Sequence, residues 1–360
     1  MPWRQPAQRS GPPGSFLSAG FVIVPMHQGR ALIVQKAVAS AEKNHLAAAK
    51  ERGTNMASRI LIPLDGSPLA EQALSCAIKL ACGLSAELVL FRAVWIPSDV
   101  VGVLDEASVE LKTIVAPLVA EANDYLGALS GQLRPVSLDV RHVVRHGPAA
   151  EAILDYANEA RVDQIVMATH GYSGIKRWTH GSVAERVLQT ARVPLMLVRV
   201  SEQDVTRDWR EPMRCQRILV PLDGSPVAEQ ILPTVTTLAQ SLGAQLILFQ
   251  VPIAHVSGWM TGEWYLPVQG VLETAEEDAQ AYLCAAAKDL REQGLDVVIA
   301  TGIGSVANCI VEYADANQVD LIAMCTHGRT GLARWALGSV ADRVLRAGDK
   351  PILLVRAQGI

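Results

Sequence analysis

The chain has 360 residues, of which 50% are hydrophobic and 19% are charged, a balance that is typical of globular proteins and excludes a largely disordered chain. This length fits two domains of ordinary size, each able to bury its own core. The formal charge of −4 gives no general attraction to nucleic acid or anionic lipid, and no apolar run approaches the ~18 residues of a membrane helix, so we expect neither nucleic-acid nor membrane binding.

The first 55 residues have no counterpart elsewhere in the chain and open with a stretch rich in Pro, Gly, Ser and Gln that we expect not to pack. Two interpretations stay open. Either Met56 is the natural start and the preceding segment comes from an over-long gene prediction, or the segment is a genuine extension. In the second case the stretch 36–52, rich in Ala, Lys and Glu, would form a short surface helix.

From Arg59 onward the chain contains one unit twice. The segment 59–72, RILIPLDGSPLAEQ, returns as RILVPLDGSPVAEQ at 217–230, an offset of 158 residues (217 − 59). Near the end of each unit a Thr-His-Gly segment and a Gly-Ser pair return with an offset of 157 (338 − 181). So long a period indicates a duplicated domain, because solenoid repeats recur every ~20 to 50 residues. We therefore predict one domain at 56–200, a linker at 201–213 and a second domain at 214–357.

Within each unit, apolar strand-like runs alternate with helical periodicity, a pattern that is typical of parallel βαβ units. The fold class is therefore α/β, with a five-stranded parallel sheet flanked by helices in each domain. The predicted strands are 60–64, 87–93, 137–144, 164–168 and 195–198 in the first unit, and 218–222, 245–251, 296–300, 321–325 and 352–355 in the second.

Serines mark the expected helix starts. The Ser-Pro pairs at 67–68 and 225–226 predict an N-cap serine followed by proline at the first helical position. Ser182 and Ser339 each precede Val-Ala and then an acidic residue, which predicts a capping box at the start of the last helix in each unit.

Ligands of open parallel sheets bind beyond the carboxyl ends of the strands, where the strand order reverses. Three features of each unit are expected there: an aspartate after the first strand, a glycine after the fourth, and the Gly-Ser pair that opens the last helix. Glycine lets a phosphate approach the backbone, and a helix N-terminus offers unpaired N–H groups. On spacing alone a structural role stays open, in which the glycine turns the chain and the serine caps the helix.

The same motifs resemble the universal stress protein family in its tandem form. The resemblance rests on ILVPLDGS, DLIAMCTHGRTG and GSVADRVL followed by KPILLV in the second unit, matched in order by the first, and it covers 56–200 and 214–357. It implies Rossmann-like domains of the adenine nucleotide alpha hydrolase-like type. It also implies ATP or a related adenine nucleotide as ligand, with or without Mg²⁺, and a role in stress response or signalling. A cytoplasmic location is expected, and it agrees with six cysteines that show no metal-type spacing.

ATP-binding members of the family carry a glycine, two residues, a second glycine, nine residues, and then Gly-Ser or Gly-Thr. Both units keep the second glycine, the nine-residue spacing and the closing pair. The first glycine is replaced by Ala168 in one unit and by Cys325 in the other. We expect the added methyl and thiol groups to narrow the pocket, so that restoring glycine at both positions tightens ATP binding.

Other site residues follow from the resemblance position by position. It implies an aspartate near the adenine and ribose, a second-strand residue whose backbone recognises adenine, and a glycine that lets the third loop pass beside the nucleoside. For Asp65 the alternative is a turn aspartate that bonds the backbone of Gly66 and Ser67. The full set of candidate nucleotide-binding residues is Asp65, Ala93, Gly147, Ala168, Gly171, Gly181 and Ser182 in the first unit, and Asp223, Val251, Gly304, Cys325, Gly328, Gly338 and Ser339 in the second.

Three functions remain open at this point: a nucleotide-binding stress-response module, a nucleotide-independent interaction scaffold, and a weak ATPase. The chain has no Walker A motif, no recognisable Ser/His/Asp order and no repeated acidic pair beside the glycine loop, so at most slow ATP hydrolysis or autophosphorylation is expected. We expect the two units to pack as an intramolecular pseudo-dimer of two separate sheets whose last strands meet, and a homodimer also remains open.

Overall fold

The computed structural model describes residues 58–96, 111–133, 138–169, 182–200, 208–252, 268–328 and 337–357. In the helices that begin at residues 111 and 268, side chains are described from residues 113 and 273. The described residues belong to one compact unit, Thr54–Ile360. The predicted extension, Gly171, Gly181 and most of the predicted linker lie outside the described residues.

The two halves repeat one order of elements, and all ten predicted strands are present. The first half contains β1 (Arg59–Pro63), α1 (Pro68–Glu71), α2 (Ala73–Leu84), β2 (Glu87–Val94), α3 (Leu111–Leu133), β3 (Val140–His146), α4 (Ala149–Glu159), β4 (Gln164–Ala168), α5 (Ser182–Thr190) and β5 (Leu195–Val198). The second contains β6 (Arg217–Pro221), α6 (Pro226–Glu229), α7 (Leu232–Leu242), β7 (Gln245–Gln250), α8 (Val268–Glu292), β8 (Val297–Thr301), α9 (Val306–Ala316), β9 (Leu321–Cys325), α10 (Ser339–Ala347) and β10 (Ile352–Val355).

The strands form a single ten-stranded sheet in the order β3-β2-β1-β4-β5-β10-β9-β6-β7-β8. Each half is parallel, as predicted, and the last strands meet, as predicted, with Met196 opposite Leu353 in an antiparallel pair. The expectation of two separate sheets is wrong. The last strand of an open sheet leaves a row of backbone N–H and C=O groups without partners. Because β5 and β10 are short, apolar and almost entirely buried, these groups could not bond to water. The pairing of β5 with β10 therefore gives the backbone groups of both strands partners within the core.

Side chains alternate between the two faces of the sheet, and helices cover both. On β1, for example, Ile60 and Ile62 belong to one core cluster and Leu61 belongs to the other. The first cluster packs under α2, α3, α7 and α8, and the second under α4, α5, α9 and α10. Burial on both faces explains why the strands are continuous apolar runs. None of the helices described is long and apolar enough to cross a membrane.

The Ser-Pro pairs start helices as predicted. The Ser67 hydroxyl oxygen accepts a hydrogen bond from the Ala70 N–H at 3.1 Å, and Ser225 accepts from Ala228 at 3.2 Å. Each cap therefore fixes the direction in which the chain leaves the first strand of its half, and with it the position of the preceding aspartate.

Candidate functional site

The strand order reverses between β1 and β4 in the first half, and between β6 and β9 in the second. Loops that follow the carboxyl ends of these strands run to opposite faces of the sheet, which leaves a crevice between them. The candidate residues follow these strands in sequence, so the fold brings them to this edge of the sheet.

Both aspartates after the first strand form a turn with the backbone N–H of the serine two residues on, the alternative considered for Asp65. Asp65 Oδ1 accepts from the Ser67 N–H at 2.9 Å. In the second half, Asp223 Oδ1 accepts from the Ser225 N–H at 2.9 Å and from its hydroxyl at 2.6 Å. These bonds use one carboxylate oxygen of each aspartate. For Asp223 the other oxygen, Oδ2, faces the glycine loop.

Gly328 lies against that second oxygen. A Cβ atom at position 328 would sit 2.3 Å from Asp223 Oδ2 and 3.3 Å from its Cγ, which is closer than real Cβ contacts. The aspartate and the glycine loop therefore meet in the second half so closely that a Cβ at position 328 would displace one of them. Gly171, the counterpart of Gly328, lies outside the described residues.

Gly338 folds back onto the end of β9. Its N–H donates to the Thr326 carbonyl at 2.8 Å, and a Cβ at position 338 would lie 2.7 Å from that oxygen. This contact makes Gly338 the N-cap of α10 and Ser339 its first helical residue, without a side-chain capping bond. The predicted capping box at Ser339 is therefore wrong. The backbone fold at Gly338 shifts the cap by one residue and brings the helix start to the crevice.

The candidate glycine that follows the third strand adopts the same backbone conformation in both halves. Gly147 and Gly304 have φ of +135° and +136°, values that L side chains rarely adopt. The Gly147 N–H donates to the Val94 carbonyl at 3.0 Å, which ties this loop to the end of β2 beside Ala93. Val251 directly follows β7 and is buried. These four candidates thus lie at the same sheet edge, on or just after the two strands to one side of the aspartate loop in each half.

Ala168 and Cys325, which replace the first motif glycine, end β4 and β9 and are both buried. The Cys325 thiol is 3.6 Å from the Ala228 carbonyl oxygen of α6, to which it donates, in the same core cluster as Ala323. Burial raises the pKa of this thiol to about 12, and the Asp223 carboxylate adds to the rise. The side chain packs beneath α6, and the expectation that the thiol narrows a nucleotide pocket stays a prediction.

Sequence reasoning missed a charge difference between the halves. Arg92, at the end of β2, places its guanidinium against the Asp65 turn: a Cβ on Gly66 would lie 3.4 Å from the guanidinium carbon. Arg92 also pairs with Glu121 at 3.6 Å and lies over the Tyr125 ring at 5.2 Å. Its counterpart is a glutamine, Gln250, so at this position the first half carries a cation and the second half a neutral amide. An aligned comparison of the two copies would have shown this difference.

Two buried polar atoms at the carboxyl edge of the second half have no hydrogen-bond partner in the part of the chain that the structure describes. They are Gln250 Oε1 and His327 Nε2. Gln250 is 8% exposed at the carboxyl end of β7. The other ring nitrogen of His327 lies 3.1 Å from the Thr326 hydroxyl, directly beside Gly328. Buried groups without a partner are uncommon in folded proteins, and both belong to residues at this sheet edge.

The sequence model that represents the universal stress protein family matches this chain twice, at residues 56–199 and at 214–356. The chain belongs to the universal stress protein family. The double match also establishes its tandem form, with two family domains in one chain.

Individual relatives agree with this assignment. A universal stress protein of Methanocaldococcus jannaschii is 32% identical over 145 residues, which cover 39% of this chain and 82% of the relative. One from Mycolicibacterium smegmatis is 25% identical over 233 residues, 65% of this chain and 72% of the relative. The crystal structure of a universal stress protein from Archaeoglobus fulgidus has a TM-score of 0.58 at 16% identity and covers 83% of this chain and 96% of its own. This last similarity shows the fold.

Proposed function

We propose that this tandem universal stress protein binds ATP or a related adenine nucleotide at the carboxyl edge of the sheet and acts in stress response or signalling. The observation that supports the proposal is the convergence of Asp223, Gly328 and Gly338, because a side chain at Gly338 would meet the Thr326 backbone carbonyl and one at Gly328 would force the Asp223 carboxylate to move. A glycine-lined crevice beside a helix start is suited to a phosphate group.

In this proposal the phosphates lie at the first turn of α10, whose N–H groups lack acceptors within the helix and lie at the positive end of its dipole. The base and ribose lie toward Asp223, Val251 and Gly304, the residues at the ends of β6 and β7 and after β8. The first half would use Asp65, Ala93 and Gly147 in the same way. Mg²⁺, where present, would be carried by the nucleotide phosphates. We also propose a cytoplasmic location, which agrees with the free thiols of all six cysteines.

A nucleotide-independent scaffold is the second candidate, because both halves lack the first motif glycine at Ala168 and Cys325. Calorimetric titration of the purified chain with ATP separates the two functions. We expect saturable binding at micromolar or weaker affinity, where a Kd of ~1 μM corresponds to about −8 kcal/mol. Replacing Gly171 and Gly328 together by valine should abolish it. If the unaltered chain does not bind ATP, the scaffold is correct, and if the double variant still binds, the nucleotide lies elsewhere.

A further inference from the structure

A segment that follows the first domain lies across helices α2 and α3. The Met213 N–H donates to the Ser75 carbonyl of α2 at 3.2 Å, and the Arg210 guanidinium donates to Gln132 Oε1 of α3. Trp209, directly before the Arg210 anchor, is 6% exposed and belongs to the core cluster, and Arg210 lies over its ring at 4.6 Å. The first half therefore contains a peptide-binding groove that is filled by its own chain.

The second half has the corresponding groove, and no segment in the described part of the chain fills it. A cleft of about 800 Å³ lies between α7 and α8, and its lining includes Pro233 and Asp289, the counterparts of Ser75 and Gln132. We call it the α7–α8 cleft. One end is built alike in the two halves: Tyr125 donates to Glu71 at 2.9 Å, and Tyr282 donates to Glu229 at 2.8 Å.

Burial distinguishes the filled groove from the open one. Leu74 and Ile78 on α2 are completely buried, whereas their counterparts on α7, Leu232 and Thr236, are partly exposed and line the cleft. On α3 the buried Leu129 is replaced on α8 by Ala286, which is smaller and partly exposed. Among the residues that the structure describes, no segment covers the cleft, and the cleft is wider at the position where a large side chain would enter.

We propose that the α7–α8 cleft binds an extended peptide segment of a partner protein that carries an aromatic residue followed by a cation. The chain itself supplies the model for this ligand, since Trp209 and Arg210 occupy the equivalent groove. The aromatic side chain would fill the space above Ala286. The cation would meet Asp289, a carboxylate in place of the neutral Gln132, and charge-assisted hydrogen bonds are the stronger kind. The proposal is independent of nucleotide binding.

The probe is a fluorescein-labelled peptide with the sequence of residues 208–214, DWREPMR, added to the full chain and followed by fluorescence anisotropy. We expect saturable binding that is lost when the peptide tryptophan is replaced by serine. Asp289→Lys should weaken binding roughly tenfold or more, because it places a cation against the peptide arginine. The matched control is Glu277→Lys, which makes the same charge change at an exposed position of α8 outside the cleft lining and should leave binding unchanged.

A second variant fills the cleft instead of changing its charge. Ala286→Trp should abolish peptide binding, with a thermal melt to establish that the variant is folded. Asp289 is exposed, so its variant tests the proposal even if Ala286→Trp does not fold. The proposal is overturned if the peptide shows no saturable binding. It is also overturned if Asp289→Lys binds as tightly as the unaltered chain, since the peptide would then be displacing the chain's own segment from the first half.

Discussion

Arg199 and Arg356 are counterparts that bind across the junction between the two halves, each at the end of a helix in the other half. Arg199 donates to the Arg346 and Gly348 carbonyls at the end of α10, at 2.9 and 2.5 Å. Arg356 donates to the Gln189 and Thr190 carbonyls at the end of α5, at 3.3 and 3.5 Å. A helix C-terminus has unsatisfied carbonyls and the negative end of the dipole, so a cation is favourable there. These reciprocal contacts join the same two halves of the chain that the antiparallel pairing of β5 with β10 joins.

We expect Arg199→Ala to lower the free energy of unfolding by about 1.5 to 3 kcal/mol, the range for hydrogen bonds to a charged group. Arg356→Ala should cost less, because its two bonds are longer and weaker. Chemical denaturation measures both changes. The control is Arg343→Ala, at an exposed arginine on α10, which should change stability by less than about 0.5 kcal/mol. Equal losses at 199 and 343 would show that the junction contact contributes nothing.

The contact between Gly328 and Asp223 predicts a coupled pair of substitutions. Gly328→Ala should destabilise the protein by about 1 to 3 kcal/mol, because its methyl group would overlap Asp223 Oδ2 and force the loop or the carboxylate to move. In the background of Asp223→Ala the same change should cost at least about 0.5 kcal/mol less, since the obstructing carboxylate is gone. A double-mutant cycle by chemical denaturation measures the difference.

A matched control for this cycle is Gly127→Ala on α3, where an added Cβ meets nothing within 4 Å. This change should be neutral or stabilising, because alanine favours a helix more than glycine does. Additive losses in the cycle, with no coupling between positions 223 and 328, would contradict the close approach of the two residues.

The predictions from sequence succeeded where local pattern decides the structure. Apolar runs located all ten strands, and the Ser-Pro pairs located two helix starts through their caps. The joining of the halves into one sheet could not be predicted in this way, because edge pairing depends on how complete domains meet. The cap at Gly338 was missed for a similar reason, since its bond to Thr326 spans the whole glycine loop.

Cys325 shows a signal that was present in the sequence but not used. Side chains in a strand alternate between faces, and Leu321 and Ala323 on β9 belong to the same core cluster as Cys325. The period of two therefore directs the thiol beneath α6. Family resemblance gives a residue's position along the motif, whereas this alternation gives the face toward which its side chain points. The burial of Trp209 had no comparable signal, because an isolated aromatic residue in a polar linker does not reveal the surface that it covers.

Two serines that look alike in sequence should respond differently to substitution. Ser225→Ala should cost about 1 kcal/mol, because Ser225 accepts from the Ala228 N–H and donates to Asp223. Ser339→Ala should change stability by less than about 0.5 kcal/mol, since Gly338 occupies the cap position of α10. Chemical denaturation of the two single variants tests this difference. A loss at Ser339 equal to that at Ser225 would restore the capping box that the structure contradicts.

Buried thiols predict a loss of stability at alkaline pH. Burial raises the pKa of Cys215 and of Cys325 to about 12, from an ordinary value of 9.0. Above pH 9 the unfolded chain therefore loses these protons while the folded chain keeps them, so the free energy of unfolding falls as pH rises between 9 and 12. Each thiol contributes a slope of up to about 1.4 kcal/mol per pH unit.

Cys325→Ala should make this decline shallower in chemical denaturation measured from pH 8 to 11. Cys284→Ala, at an exposed cysteine, should leave the slope unchanged. The same slope in the unaltered chain and in Cys325→Ala would mean that the thiol ionises as readily in the folded protein as in the unfolded chain, which would contradict its packing beneath α6.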